Sequence, residues 1–123
     1  MAPFDFDPNR PIYLQIIEEI KKRSVRGVYS PGSKLPSVRD MSRQMGVNPN
    51  TMARAYAELE RQDFVFARRG QGSFVSEGME RIDAERQALT DGAVARFIEE
   101  VGELDLSQEQ RADLLRKIEE GLI

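Results

Sequence analysis

The chain has 123 residues, of which 40% are hydrophobic and 32% are charged, and it carries a formal net charge of −3. This size and balance predict one folded domain with an appendage, and no apolar run approaches the roughly 18 residues of a membrane span, so no membrane partner is expected. The sequence has no cysteine and no histidine, which excludes disulfides, the common zinc sites and nucleophile–imidazole pairs, and argues against an enzyme.

The first ten residues predict an extended arm, because Pro3 and Pro8 interrupt any regular pattern. Pro11 can then open a first helix, where its missing N–H group costs no hydrogen bond. Gly27 marks the end of this helix, and the run Tyr29-Ser30-Pro31-Gly32 predicts a turn. The apolar face of the helix repeats at i, i+3, i+4 and i+7, and its residues are Tyr13, Ile16, Ile17 and Ile20.

Two short helices separated by a tight turn come next. Ser37 is expected to cap the second helix and Gly46 to end it, in the left-handed conformation that glycine tolerates. Asn48 is expected to cap the third helix, with Pro49 in its first turn. The inward faces of the two helices are Val38, Met41 and Met45, then Met52, Ala55, Tyr56 and Leu59. This pattern predicts a helix-turn-helix, which places its second helix in the DNA major groove.

The segment after Asp63 predicts a β-hairpin. Phe64-Val65-Phe66 and Ser73-Phe74-Val75 are typical of short strands around the basic loop Arg68-Arg69-Gly70-Gln71-Gly72. A helix-turn-helix followed by such a hairpin is a winged helix-turn-helix. The fold is therefore predicted to be mainly α with a small β-wing (α+β), with the arm at residues 1–10 and the winged DNA-binding domain at residues 11–76.

Residues 79–123 predict a two-helix tail. One long helix runs from Met79 to about Gly102, with a candidate break at Thr90-Asp91-Gly92, and Ser107 opens a second helix through a capping box with Gln110. Two helices cannot bury these apolar stripes well on their own, so pairing with a second copy of the chain is expected. The predicted dimerisation residues are Val94, Phe97, Ile98, Val101, Leu114, Leu115 and Ile118.

Charge is distributed unevenly between these two parts. Residues 1–78 carry 12 Lys and Arg against 9 Asp and Glu, a net +3, whereas residues 79–123 carry 6 against 12, a net −6. A basic front and an acidic rear fit a DNA-facing module whose tail is held away from phosphate.

The outward face of the third helix carries the residues expected to read DNA. Arg54 can bind guanine through two hydrogen bonds or hold a phosphate. Asn50 can pair with adenine or bond to phosphate, and Thr51 can bond to phosphate or touch a thymine methyl. Arg39, near the start of the second helix, is expected to bind a backbone phosphate.

The wing is expected to make further DNA contacts. Arg68 and Arg69 supply positive charge, and Gly70 and Gly72 allow the backbone to come close to DNA. Gln71, at the tip, can read the minor groove. A solvated surface charge is the alternative interpretation of each of the two arginines.

Four segments in this order resemble the GntR family of bacterial transcription regulators: PIYLQI at 11–16, PGSKLPSVRD at 31–40, GVNPNTMARAYAELE at 46–60 and RRGQGSFV at 68–75. Of these, GVNPNT and RAYAELE are most similar to the short-tailed YtrA-like branch, whose small helical tail serves dimerisation and whose members repress operons for transport or stress functions. The resemblance implies DNA contacts at Arg39, Asn50, Thr51, Arg54 and the wing around Gln71 and Gly72. Many relatives carry Arg or Ser where Pro49 and Ala53 stand, so no contact is implied for these two positions.

These features predict a cytoplasmic, homodimeric transcription regulator, a repressor that binds double-stranded DNA at an inverted-repeat operator without a cofactor or a metal. Its two recognition helices would lie about 34 Å apart, or a multiple of that distance. A small-molecule effector, at the dimer interface or between tail and DNA-binding domain, is left open. The alternative is a winged-helix protein-interaction module without DNA binding, against which Arg39, Arg54 and the Arg68-Arg69 pair argue.

Overall fold

The computed structural model of the chain describes residues 4–123, so Pro3 and the start of the predicted arm lie outside the described residues. The described elements are α1 (Ile12–Val25), α2 (Val38–Met45), α3 (Pro49–Arg61), β1 (Val65–Arg68), β2 (Gly72–Val75), α4 (Met79–Gly102) and α5 (Gln108–Gly121). They form two compact units, the first ending at Gln87 and the second beginning at Ala88, so that α4 contributes to both. No helix among residues 4–123 is long and apolar enough to cross a bilayer.

An apolar core holds the first unit together. Helices α1 and α2 both pack against α3, and the wing packs against the end of α3. Burial of each large apolar side chain contributes about 1.5–3 kcal/mol. The predicted inward faces are confirmed, except that Tyr13 and Val38 are half-buried at the edge of the core. The largest apolar side chains that are fully enclosed are Ile16, Ile20, Leu35, Met41, Met45, Met52, Leu59, Phe64, Val75 and Ile82.

Local caps set the turn between α2 and α3. The Ser37 hydroxyl accepts a hydrogen bond from a first-turn N–H at 3.1 Å, and the Asn48 side-chain oxygen accepts one from the Asn50 N–H at 2.7 Å. Gly46 ends α2 in the left-handed conformation, with a φ of 71°, and Pro49 occupies the first turn of α3. Because each cap is worth about 1 kcal/mol, a few local residues fix both helix ends, as the sequence predicts.

The two strands form an antiparallel hairpin that pairs Phe66 with Phe74 and Arg68 with Gly72. The φ of Gly72 is 116°, which would strain any residue with a side chain. An additional isolated bridge joins Lys34 to Phe74, so the segment before α2 lies beside the wing. The sequence did not predict that Lys34 would pair with the wing beside its two strands.

The first strand begins later than predicted. Phe64 is fully buried, but it follows Asp63, whose φ of 59° turns the chain, and its N–H donates to the Leu59 carbonyl at 3.0 Å. That bond closes the end of α3 and belongs to no strand ladder. The ladder starts at Val65, opposite Val75, because the Phe64 N–H is already bonded to the end of α3.

A buried polar network anchors the first turns of α4 within the first unit. Ile82 enters the core, and the Glu85 side chain, which is 8% exposed, pairs with Lys21 of α1 at 3.0 Å and with Arg81 at 3.2 Å. The Lys21 ammonium also donates to the Gln62 side chain, just after α3, at 2.7 Å. Pairing with two cations offsets the desolvation of this carboxylate. The network therefore joins α1, α3 and α4 at one place.

Helix α4 runs through Thr90-Asp91-Gly92 without interruption, so the candidate break predicted there is wrong. A glycine in a helix costs only about 1 kcal/mol relative to alanine. The helix formers on either side of Gly92, among them Ala88, Leu89 and Ala93, can offset that cost. A single glycine is thus not enough to end a helix that strong helix formers flank on both sides.

The second unit consists of the rest of α4 and of α5. The predicted capping box is confirmed, because Ser107 accepts from the Gln110 N–H at 3.1 Å and the Gln110 side chain accepts from the Ser107 N–H at 2.9 Å. No side chain of residues 88–123 is buried within the chain. Ile98 and Leu115 are 63% and 67% exposed. This unit has no enclosed core of its own.

Candidate nucleic-acid interface

The start of α3 presents a polar, solvent-facing surface. Asn50 and Arg54 are exposed and Thr51 is half-buried, so the three predicted readout residues lie together on one side of the helix. They line a shallow concavity with Pro11, Ile12 and Tyr13, which belong to the start of α1. Ala53 is also exposed, and its small side chain leaves the neighbouring helix surface open.

Arg54 lies flat against Tyr13. Its guanidinium carbon is 3.7 Å from the centre of the Tyr13 ring, which is a close cation–π contact. Within residues 4–123 Arg54 makes no ion pair and donates no hydrogen bond to another residue. Its N–H groups are therefore available to a partner outside the chain.

The two asparagines at the start of α3 have different surroundings. The Asn48 side-chain oxygen is used to cap the helix, which confirms the prediction that this residue is a cap. Asn50 contributes only its backbone N–H to that bond, and its own side chain is exposed. Asn50 is thus the asparagine whose amide can reach a ligand.

Arg39 stands in the first turn of α2, where it is exposed. The neighbouring Asp40 forms a long ion pair with Arg43, at 3.8 Å, and Arg39 forms none within the described residues. The free N–H groups at a helix start add positive potential beside such a cation. This end of α2 is suited to an anionic partner.

The wing places its two arginines differently. Arg68 lies over the stacked rings of Phe66 and Phe74, at 5.2 and 4.9 Å, and pairs with Glu77 at 3.4 Å. Arg69 is exposed and forms no ion pair within the chain that the structure describes. Arg68 is therefore partly occupied by the wing itself, whereas Arg69 is not.

Lys34 adds a cation to the wing that the sequence analysis missed. Its Cε atom is 2.9 Å from the position that a Cβ atom would take on Gly72, so the lysine crosses the wing where glycine leaves room. Gln71, at the tip, donates its backbone N–H to the Arg68 carbonyl at 2.9 Å and leaves its side chain exposed. Lys34 stands in the segment PGSKLPSVRD at 31–40, which carries the family resemblance, but no role was predicted for it.

At the C-terminal end of α3, Arg61 is neutralised by an ion pair with Glu58. Hydrogen bonds from Arg61 and Gln62 lower the pKa of Glu58 to about 2, so this carboxylate stays charged beside Arg61. Closer to the start of the helix, burial raises the pKa of Tyr56, whose hydroxyl donates to the Pro36 carbonyl at 2.6 Å. That bond ties α3 to the segment before α2. The cation without an internal partner in α3 is therefore Arg54, near its beginning.

The predicted dimerisation residues gather within the second unit. All of them except Val94 line one apolar concavity between α4 and α5, together with Leu106 and Arg111. Val94 is exposed and lies outside this lining. The residues from the predicted set that line the concavity are Phe97, Ile98, Val101, Leu114, Leu115 and Ile118. Among residues 4–123, no cluster of Asp or Glu is arranged to hold a metal ion.

Comparison with known proteins places these features in a family. The sequence model described as bacterial regulatory proteins, gntR family, matches residues 12–75. The chain is 43% identical over 116 residues to the HTH-type transcriptional regulator YhcF of Bacillus subtilis (strain 168), covering 94% of this chain and 96% of that protein. It is 33% identical over 122 residues to the HTH-type transcriptional repressor YtrA of the same organism, covering 99% of this chain and 89% of YtrA.

Solved structures share the fold. A GntR family transcriptional regulator from Listeria monocytogenes matches with a TM-score of 0.83 and 36% identity, over 91% of this chain and 98% of that one. The DNA-binding domain of AraR, solved in complex with operator ORX1, matches with a TM-score of 0.56 and 26% identity, over 62% of this chain and 100% of that one. The predicted winged helix-turn-helix is confirmed, as is the prediction of a regulator and not an enzyme.

Proposed function

The chain belongs to the GntR family of bacterial regulatory proteins, in its YtrA-like branch, and on that premise we propose that it represses transcription as a homodimer bound to an inverted-repeat operator. The observation that carries the proposal is the start of α3, where Asn50, Thr51 and Arg54 share a surface and Arg54 has no partner within the described chain. The AraR domain, which shares this fold, was solved on operator DNA.

In the proposed complex, the first turns of α3 enter the major groove. Asn50 and Thr51 approach base edges or phosphates, and a bidentate contact from Arg54 to guanine supplies about 1–3 kcal/mol of discrimination. Arg39 and the free N–H groups at the start of α2 bind backbone phosphate.

The wing is proposed to follow the adjacent minor groove. Gln71 and Gly72 lie at its tip. Arg69 supplies a charge that forms no ion pair among residues 4–123, whereas Arg68 contributes less because it pairs with Glu77. Lys34 joins this group as a cation whose Cε atom lies close to Gly72.

The tail is proposed to pair with the tail of a second copy. The second unit exposes large apolar side chains and buries none, and two-fold pairing is the commonest way in which a chain covers such a surface. The proposed domains are the arm at residues 1–10, the winged DNA-binding domain at residues 11–76 and the dimerisation tail at residues 79–123. A regulator of chromosomal genes acts in the cytoplasm, and a small-molecule effector at the dimer interface would act by changing how the two copies pair.

DNA binding is tested by fluorescence anisotropy or gel shift with the promoter fragment of the operon that encodes the protein. The wild-type protein should bind this fragment more tightly than a scrambled one, and its affinity should fall as salt rises. Arg54→Ala should weaken binding, and Arg61→Ala, which removes the same charge from the paired end of the same helix, should change it little. Absence of salt-sensitive, sequence-selective binding would refute the proposal and favour a protein-interaction module.

The dimer is tested by sedimentation. Ile98→Asp places a charge on the apolar concavity and should shift the protein toward monomer, with a matching loss of operator affinity. Leu122→Asp is the control, because Leu122 is also exposed but does not line the concavity. A wild-type protein that sediments as a monomer at micromolar concentration would contradict this part of the proposal.

A further inference from the structure

Three arginines lie against aromatic rings in the described part of the chain, and only one of them keeps its hydrogen-bond donors free. Arg68, over Phe66 and Phe74, also pairs with Glu77. Arg81, over Phe64, also donates to the Gln62 carbonyl and pairs with Glu85. Arg54, over Tyr13, has the shortest ring contact of the three and no second partner among residues 4–123.

The stacked arrangement restrains Arg54 without using its donors. A cation–π contact engages the face of the planar guanidinium, whereas the N–H groups point outward in its plane. An arginine side chain that is already held loses less conformational entropy when it binds, and this pre-organisation improves affinity. The Tyr13 ring therefore leaves Arg54 ready to make two parallel hydrogen bonds.

Tyr13 stands in the first turn of α1, outside the helix-turn-helix. It is half-buried, and its hydroxyl makes no hydrogen bond to another described residue. Its ring thus contacts the core on one side and Arg54 on the other. The phenol oxygen is not needed for that contact.

We propose that Tyr13 is a positioning residue that fixes the guanidinium of Arg54 for bidentate contact with a base, so that part of the sequence specificity resides in α1. The inference rests on the proposed function, since it concerns how the same surface reads its operator. Arg54 contacts the base and Tyr13 acts through it.

The stacking itself is tested without DNA. The nitrogen-15 and proton resonances of the Arg54 side chain should be shifted by the ring current of Tyr13 in the wild-type protein and in Tyr13→Phe, but not in Tyr13→Leu. Equal shifts in all three proteins would overturn the inference, whatever the protein binds.

The role in recognition is tested by a double-mutant cycle on the minimal operator that the wild-type protein protects from nuclease. In a protein that keeps Arg54, Tyr13→Leu should weaken operator binding by about two- to five-fold. Tyr13→Phe should bind the operator as tightly as the wild type does. In the Arg54→Ala background, Tyr13→Leu should have no effect. A panel of single base-pair substitutions should show discrimination relaxed at the same base pair in Tyr13→Leu and in Arg54→Ala.

The possible results distinguish a failure of this inference from a failure of the proposed function. A loss that is equal in both backgrounds, or a loss in Tyr13→Phe, would mean that Tyr13 contacts DNA directly or supports the fold, and would overturn the inference. A relaxed base pair in Arg54→Ala that Tyr13→Leu leaves unchanged would overturn it as well. A wild-type protein that binds no operator would instead overturn the proposed function, with the stacking still measured by NMR.

Discussion

Replacing Glu85 by glutamine removes the carboxylate that pairs with both Lys21 and Arg81 in the buried network joining α1, α3 and α4. The carboxylate lies 3.0 Å from the Lys21 ammonium and 3.2 Å from the Arg81 guanidinium. At an effective dielectric constant of about 20, each pair attracts by about 5 kcal/mol, most of which the desolvation of the ions cancels. Glu85→Gln keeps the shape of the side chain but removes the ion-pair partner of the largely buried Lys21.

Breaking a buried ion pair on one side costs about 3–5 kcal/mol when the remaining charge has no other partner. Lys21 retains its hydrogen bond to Gln62, and Arg81 is more exposed, so the lower end of the range applies. We therefore expect Glu85→Gln to lower the free energy of unfolding by about 3 kcal/mol, which shifts the urea midpoint by about 1–3 M.

The assay and its control come from the same part of the chain. The chain has no tryptophan, and all three of its tyrosines lie in residues 1–87. Tyrosine fluorescence during urea unfolding therefore reports on the first unit. Asp83→Asn is the matched control, because this side chain is 59% exposed and pairs with Arg86 on the surface, where a pair is worth about 0–1 kcal/mol. If both variants unfold at the same urea concentration, the buried network contributes no more than a surface pair and the reasoning is refuted.

Local contacts in the first unit give three more expected outcomes. Asn48→Ala removes the cap of α3 and should cost about 1 kcal/mol, whereas Asn48→Asp should retain the cap; equal urea midpoints for both variants would contradict its importance. Met41→Ala opens a cavity at a fully buried position and should cost about 2–5 kcal/mol, and a cost below about 1 kcal/mol would show that the core collapses around it. The Glu58 carboxyl should titrate by NMR with a pKa of about 2. The stabilising contribution of ionised Glu58 is therefore present above the ordinary carboxyl pKa and is lost as the pH falls toward about 2. Arg61→Gln should raise the pKa of Glu58 measured by NMR, and an unchanged pKa would argue against the hydrogen bond from Arg61.

The parts of the fold that the sequence predicts well are those set by contacts within a few residues. Ser37, Gly46, Asn48 and Ser107 each fix a helix end by a bond to a neighbour in the chain. Such bonds depend on residue type and spacing, which the sequence displays directly. The candidate break at Gly92 was wrong, because the helix-forming residues of a long helix outweigh one glycine.

The features that were missed depend on contacts between distant residues. Tyr13 was assigned to the apolar stripe of α1, and its periodicity gives no sign that Arg54, on another helix, lies on its ring. Lys34 reaches the wing and Glu85 reaches Lys21 in the same way. Asn50 was predicted to face solvent from helical phase, and Arg39 was predicted to reach phosphate from its place near the start of the second helix. The described structure adds that Arg39 forms no ion pair among residues 4–123 and that the Asn50 side chain is exposed.

The lack of buried side chains after Gln87 has a consequence for how the protein responds to its own abundance. Helix α5 has 14 residues, and isolated helices shorter than about 12–15 residues are marginal in water. Under the proposed dimer, we expect the helix content of the tail to rise with protein concentration, since assembly supplies the missing burial. Occupancy of an operator would then follow the square of the subunit concentration when the protein is scarce. A cell could therefore move sharply between a silent and an active promoter by a modest change in the synthesis of this one chain.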